Sequence, residues 1–559
     1  MDGARDTIAA RARGAAIVCS AALVLAIVMT WPLARGLGRL GRTTTMDGLY
    51  SIWNVAWVAH ALVTDPAALF DANIFYPHRR ALAYSESNII AGIVGVPAWL
   101  ITGNAYAAHN TAVLFAFAST LVGAWLLLRR LSGNSAAAAV GAVLFAFCPY
   151  FFSHSAHIQL LMAGGIPLSM LALHRLVDRP TLGRGLTLGA ALGTQALACA
   201  YYGIFAGLMV GYAVLFFAVR RRLWRTRPFW TAVAAGAVSS IVMVLPFFLP
   251  YLDLQRNSGF ARSLDDASRY SATWLSYLVS PAHAHRPLLS LARSMGWRIS
   301  EVLFPGAIVI VLGAIGAALS LRTSNHDPQH ARDRETVLLY GSLGILAFWA
   351  SFGPTAGLYT LLYRAVPPFT FLRAPSRFGL LLPMVLAVFS ALALRRVPAL
   401  AGSRRALVAS AIAAVAIAEL NVAPFPWERA LTASANYTVL AGMPKGVVAE
   451  FPFYGERVAY PLHAQYMMFS TTHWMPLVNG YSDYIPPDFR QTAFVLDSFP
   501  SNDTFAILQK HRVRYIGVHW DMYGPRAEEV RKRLESFLPH LRPLGSDARM
   551  TLYEVVSFP

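Results

Sequence analysis

Charge is scarce in this chain, and acid is scarcer than base. Only 13% of its 559 residues are Asp, Glu, Lys or Arg, against roughly a quarter in ordinary soluble domains. The hydrophobic share of 56% excludes an intrinsically disordered chain, because so much apolar surface outweighs the entropy of ordering. Cysteine is nearly missing too. Cys19, Cys148 and Cys199 all lie inside apolar runs, which excludes a disulfide framework and a zinc site of the CxxC type. There is no Gly-rich phosphate loop, GxSxG, HExxH or kinase signature, so nucleotide hydrolysis has no visible machinery. Repeats of fixed period and low-complexity tracts are also absent.

What is there is a series of apolar runs separated by arginine-rich turns. A formal charge of +19 would suggest nucleic acid in a soluble protein, but arginines placed between apolar runs act as topology signals, and no nucleic-acid partner is expected. Arg5, Arg11 and Arg13 precede AAIVCSAALVLAIVMTWPLA (15–34), close to the ~20 residues a bilayer requires. The N-terminus therefore reads as cytoplasmic. No A-x-A-like site follows, so this run reads as a retained anchor rather than a signal peptide. The next basic pair to follow a long apolar helix, Arg129-Arg130, places residues 35–104 outside, with NIIAGIVGVPAWLITG (88–103) as an interfacial or re-entrant helix.

Cytoplasmic turns at RRLSGNS, HRLVDRPTLGRG, RRRLWRTR, RTSNHDPQHARDRE and RRVPALAGSRR then alternate with outer turns. The outer turns are FCPYFFSHSAH, AYYG, a loop near 251–300, a loop near 355–376, and everything beyond 424. The alternation predicts about eleven spans, with the N-terminus inside and the C-terminus outside. Beyond residue 440, KGVVAEFPF, RVRYIGVHW and MTLYEVV read as short strands, and RAEEVRKRLESFL as a helix with Leu534 and Phe537 on one face. The expected architecture is mainly α and polytopic. A membrane domain spans 1–423, including the first outer loop 35–104, and a small extracytoplasmic α/β domain spans 424–559.

Polar side chains beside hydrocarbon are costly, so those at the outer ends of the spans are informative. They are Asp47 in the first outer loop, His154 and His157, Tyr201 and Tyr202, Asp265, Asp266 and Arg269, and Arg373 and Arg377 in FLRAPSRF. Arginines can hold a phosphate by forked hydrogen bonds, and a carboxylate can take a proton from an attacking hydroxyl. Each has a plainer alternative: a helix N-cap for Asp47, interface hydrogen bonding for the histidines, headgroup snorkelling for the arginines, a solvated loop for Asp265 and Asp266. Trp53, Trp57 and His60 recur along one face of a short helix after Asp47, and the tryptophans suit anchors at the headgroup level. Glu86 is the nearest second acid. One carboxylate with distant imidazoles fits no closed zinc geometry. In THWMPLVNGYSDYIPP, aromatics with Asn479 and Asp483 suit sugar binding, or packing onto the membrane part, which is favoured.

The order of an N-inside span, a large outer loop with an early acid, interfacial helices, a span ending RRL, further spans and an outer domain resembles the GT-C superfamily of membrane glycosyltransferases, over roughly residues 1–420. LFDANIFYPHRRALAYSES, FAFCPYFFSHSAH, FLRAPSRFGLLL and HWMPLVNGYSDYIPP resemble stretches of bacterial GT-C-like and YfhO-type membrane proteins. The resemblance implies transfer of a sugar from a polyprenyl-phosphate-linked donor to a glycan, lipid or protein acceptor, on the outer face of the bacterial inner membrane. It makes Asp47 the catalytic residue, with Gly48 standing where many members carry a second acid. His154, His157, Tyr202, Arg373, Arg377 and Glu86 are the substrate-binding candidates. A divalent metal, magnesium or manganese, is the only cofactor left open. The competing class is a non-catalytic protein of the same fold, acting in lipid or glycan transport or in envelope assembly. A transporter should show charged or broken helices near mid-bilayer, often in matched halves. Here the spans are almost free of acids except Glu419 in the last one.

Overall fold

The computed structural model describes residues 2–297, 301–322 and 328–559, with side chains from residue 13 onward. Part of the predicted turn RTSNHDPQHARDRE and the end of the loop near 251–300 lie outside the described residues. Helices dominate. Five of those described are long and apolar enough to cross a membrane: Ala105–Ser132, Ser135–Ser153, Ala200–Arg220, Arg227–Ser258 and Pro375–Leu394. Arg13–Met29, Ile89–Thr102 and Ala307–Arg322 are apolar but shorter. The predicted number of about eleven is not reached by this measure, because elements such as Gly165–Asp178, with 14 residues, are too short. By contact the chain divides into two units. One comprises residues 1–35, 113–249 and 259–426; the other comprises 36–112, 250–258 and 427–559.

In the first unit, helices approach closely where glycine removes the side chain. A Cβ on Gly316 would lie 1.9 Å from the Phe389 carbonyl oxygen, and one on Gly185 would lie 2.2 Å from that of Ala232. The basic turns meet acids at the helix ends. Asp178 pairs with Arg130 and, at 3.3 Å, with Arg221, which also holds Glu335 at 2.5 Å. Asp333 pairs with Arg395 and, at 3.0 Å, with Arg396. These partners come from all five turns predicted as cytoplasmic, so the sequence pattern that separated them also lets them neutralise one another. The Glu419 side chain is only 11% exposed. It accepts a hydrogen bond from His285 at 3.0 Å and the backbone N–H groups of Ala307 and Ile308, where its charge complements the start of the Ala307–Arg322 helix.

The second unit carries the sheets. Strand β1 (Leu40–Gly41) pairs antiparallel with β2 (Glu428–Arg429). Strands β3 (Val447–Phe451), β4 (Val513–His519), β5 (Leu541–Ser546) and β6 (Met550–Val555) form a sheet in the order β3-β4-β6-β5, parallel only between β3 and β4. Three of these follow the predicted strands. The fourth, β5, contains Pro543 and Gly545 and sits at the edge, where such residues are tolerated but give no strand signal. The predicted helix appears as Ala527–Leu534.

Residues of the first outer loop are folded into this unit. Val448 N–H donates to Pro476 O and Val478 N–H to Val448 O, so residues 476–478 extend the β3 edge. Leu477 N–H in turn reaches Asn73 O at 2.9 Å, while Phe75 and Tyr76 donate to Asn479 O and Leu477 O at 3.1 and 2.8 Å. The Asn73 side chain makes three hydrogen bonds: its amide donates to Ser470 Oγ (3.0 Å) and Met475 O (3.2 Å), and its oxygen accepts the Trp53 indole N–H (3.3 Å). Trp53 is fully buried and Trp57, at 8% exposed, donates to Leu69 O at 2.9 Å. The tryptophans are thus core residues rather than headgroup anchors, because a three- and four-residue spacing marks any buried helix face. Asn479 is buried as well, with its side chain bonded to the Glu450 backbone on both sides (2.8 and 2.9 Å) and to His463 at 3.2 Å. Packing, not sugar binding, occupies it.

Replacing Asn73 by Ala leaves the Trp53 N–H, Ser470 and Met475 O without their partner, at about 1–3 kcal/mol for each buried group left unpaired. The expected outcome is a clear fall in the thermal midpoint of the purified protein. A midpoint unchanged within error would contradict this role for Asn73.

Candidate active site

Asp47 sits in the first turn of the Met46–Thr64 helix, but it is not the cap. Thr45 precedes the helix in extended conformation, and its hydroxyl accepts the Gly48 N–H at 3.2 Å. The half-buried Asp47 carboxylate instead accepts the Tyr481 hydroxyl on Oδ1 at 2.8 Å. Around it the unit is lined by hydroxyls and aromatic rings. Tyr50 meets Tyr481 edge-on at 6.0 Å and approaches Ser482 Oγ at 3.4 Å, and burial pushes its phenol up to about 12. Ser85 donates to Asp483 at 2.9 Å, and the Asn54 amide donates to the Glu86 carbonyl at 3.2 Å.

Gly48 has no room for a second acid. A Cβ there would lie 2.0 Å from Arg42 O and 2.7 Å from Thr45 Oγ1. This close approach of backbone is what the glycine allows. His60 is stacked on Trp474 at 4.6 Å, and burial followed by the charge of Lys445 lowers its pKa.

The remaining candidates lie in the first unit. The FLRAPSRF stretch begins where one short 3-10 turn, Pro367–Phe371, ends, and enters a second, Pro375–Leu380; each turn starts on a proline. The Arg377 guanidinium lies over the Tyr201 ring, 4.1 Å from its centroid, and the Tyr201 hydroxyl accepts the backbone N–H of Arg373 at 2.8 Å. The Arg373 guanidinium lies 5.2 Å from the Tyr270 ring. Tyr202 is fully buried; its hydroxyl donates to Leu160 O at 2.9 Å and lies 3.2 Å from Tyr150 Oη. Tyr150 stacks on His154, with centroids 4.2 Å apart, and its carbonyl lies 2.8 Å from His154 Nδ1.

Sequence reading missed Glu301, whose Oε2 lies 3.2 Å from His154 Nε2. It stands in a loop without a motif, so no local signal points to it. Burial pushes its carboxyl up, but the hydrogen bond and charge of His154 and the charge of Arg377 outweigh this, leaving it below its ordinary value. The structure therefore brings His154, Tyr201, Tyr202, Arg373 and Arg377 into one neighbourhood, with Tyr150 and Glu301 added. His157 joins it through its backbone N–H, which donates to His154 O at 2.9 Å. Asp265 and Asp266 occupy the first turn of a short helix, Leu264–Arg269, with Asp265 and Arg269 exposed. Among the described residues no group of three or more His, Cys, Asp or Glu side chains could hold a metal ion. Magnesium or manganese thus lacks a fitting donor set there.

A family model described as a domain of unknown function, DUF6311, matches residues 56–421. No curated protein matches. Similar solved structures include the archaeal oligosaccharyltransferase AglB from Archaeoglobus fulgidus in complex with an inhibitory peptide and a dolichol-phosphate, at 15% identity over 94% of this chain and 72% of that one, with a TM-score of 0.46. Another is ArnT from Cupriavidus metallidurans bound to undecaprenyl phosphate, at 14% identity over 97% and 98%, with a TM-score of 0.41.

Gly48→Asp should destabilise the protein by about 1–3 kcal/mol through overpacking, read as a lower thermal midpoint; an unchanged midpoint would show that Arg42 O yields easily. For Glu301, a depressed native pKa means that its contribution is complete above the unfolded value of about 4.3 and is lost as pH falls through the native one. The stability difference between wild type and Glu301→Gln should accordingly be largest above about pH 5 and shrink in acid. A difference that grows in acid would contradict the sign.

Proposed function

We propose, for a chain that belongs to the DUF6311 family, that it is a polytopic membrane glycosyltransferase moving a sugar from a polyprenyl-phosphate-linked donor to a glycan, lipid or protein acceptor. The reaction takes place on the extracytoplasmic face of the bacterial inner membrane. About eleven spans, an inside N-terminus, a membrane domain at 1–423 and an outer domain at 424–559 belong to the same proposal, with the arginine alternation as its support.

The observation that carries it is the Asp47–Tyr481 hydrogen bond. A carboxylate that does not cap its helix and is oriented by a phenol is a pre-positioned acceptor for a proton. In the proposed reaction, Asp47 takes the proton of the acceptor hydroxyl as its oxygen bonds to the anomeric carbon. The bond from that carbon to the phosphate oxygen breaks, and the carbon inverts. The phosphate leaves on the polyprenyl carrier, its charge met by the forked guanidinium groups of Arg373 and Arg377. His154, held by Glu301, and His157 and Tyr202 support the donor side. Glu86 is proposed to assist the acceptor side by its charge.

Asp47→Asn should leave expression and thermal midpoint intact while lowering sugar transfer from a lipid-linked donor by about 10²–10⁴-fold in proteoliposomes. Arg377→Ala should raise the donor KM more than Arg377→Lys does, since lysine keeps the charge without the fork. Turnover of Asp47→Asn at the wild-type rate would remove Asp47 from the role.

A further inference from the structure

A cavity of about 460 Å³ opens in the second unit, and none of the residues given a part in sugar transfer lines it. One wall is the turn His78–Arg80 with Tyr84; another is the end of the Arg227–Ser258 helix, with Asp253, Leu254 and Asn257; the third is Tyr484 with Pro486–Asp488. Its size falls in the range of small-molecule sites, roughly 300–1,000 Å³.

The walls are tied to one another. Arg80 pairs with Asp253, and His78 Nε2 lies 3.0 Å from Asp488 Oδ2. Tyr484 N–H donates to Tyr84 O at 2.9 Å, and the Tyr251 hydroxyl donates to Ser85 O at 2.8 Å. The first wall is therefore tied to each of the other two.

Its charges do not balance. Each lining carboxylate has a basic partner, Asp253 in Arg80 and Asp488 in His78. Arg79 is left over: it lines the cavity, is exposed, and has no carboxylate partner among the described residues. A guanidinium without a partner suits a bidentate oxyanion. The rest of the lining suits something other than a bare ion. The Tyr84 and Tyr484 rings meet edge-on at 5.1 Å, and with Leu254 and Pro486 they offer apolar surface of the kind a sugar ring covers with its C–H faces. Asn257 adds an amide with donors and an acceptor for hydroxyls.

We propose that this cavity is a binding site for a sugar bearing one oxyanion, a phosphate or a carboxylate, with Arg79 holding the anion and the two tyrosines bordering the ring. No bond is made or broken there. The site would select a charged saccharide for the protein independently of the Asp47 chemistry.

The test is calorimetric titration of the purified full chain in nanodiscs with glucose 1-phosphate, glucuronate, glucose and inorganic phosphate. At least one of the two anionic sugars should bind saturably and about tenfold or more tighter than glucose or inorganic phosphate, and the tighter of the two names the anion. Arg79→Ala should weaken that binding by about tenfold or more, Arg79→Lys by less, and raised salt should weaken it in the wild type. Arg79 is exposed, so both variants should keep the wild-type thermal midpoint; should Arg79→Ala misfold, Arg79→Lys and the salt series still decide. Asp47→Asn should bind as wild type does. Saturable binding of neither anionic sugar, inorganic phosphate binding as tightly as glucose 1-phosphate, or Arg79 variants binding like wild type would each overturn the proposal.

Discussion

The carbonyl of Asn73 and the N–H groups of Phe75 and Tyr76 pair outside their own loop, and the unit that contains Asp47 depends on where those hydrogen bonds go. They go to residues 477–479, which are themselves bonded to β3. A run of backbone pairs thus extends from the first outer loop through 476–478 into the four-stranded sheet, and Asn73 fastens it with three side-chain bonds. Buried peptide groups must find partners, so this pairing is obligatory once the segment is covered. The Met46–Thr64 helix packs on the result, with Trp53 and Trp57 inside.

The placement of Asp47 follows from that arrangement. Tyr481 lies two residues past Asn479, the residue whose carbonyl receives Phe75 N–H and whose side chain grips the Glu450 backbone. The hydroxyl that orients Asp47 is therefore carried by the same segment that joins loop to sheet. The polar core of the sheet joins distant side chains: Glu450 Oε2 lies 2.9 Å from His519 Nε2, and Tyr437 donates to Glu450 Oε1 at 3.0 Å. Burial holds the His463 ring neutral, with its pKa down at about 3, so that Nε2 donates to Tyr454 O while Nδ1 accepts from Asn479.

Local physics was legible in the sequence and distant pairing was not. Long apolar helices announce themselves by composition, and VVAEF, VRYIGVH and MTLYEV announce strands by their β-branched and aromatic content. The arginine turns were readable as a set, and the structure pairs them with Asp178, Asp333 and Glu335. Asp47 stood out because an acid after an apolar run is rare. Its partner did not, since nothing in GYSDY says which of two tyrosines turns towards residue 47. Trp53 and Trp57 were misread because burial in protein and anchoring at headgroups impose the same spacing. Glu301 and Glu450 were invisible for a different reason: each is paired with a histidine far along the chain, and pairing across such separations leaves no periodic trace.

If residues 73–76 fasten the first outer loop to the sheet, then opening one should open the other. Native-state hydrogen exchange with mass spectrometry, followed through a denaturant series, reads this directly. Amides of residues 46–64 should share one opening free energy, and one denaturant dependence, with those of Val447–Phe451 and Val513–His519. Exchange of 46–64 at a distinctly lower opening free energy, with the strands still protected, would contradict the account.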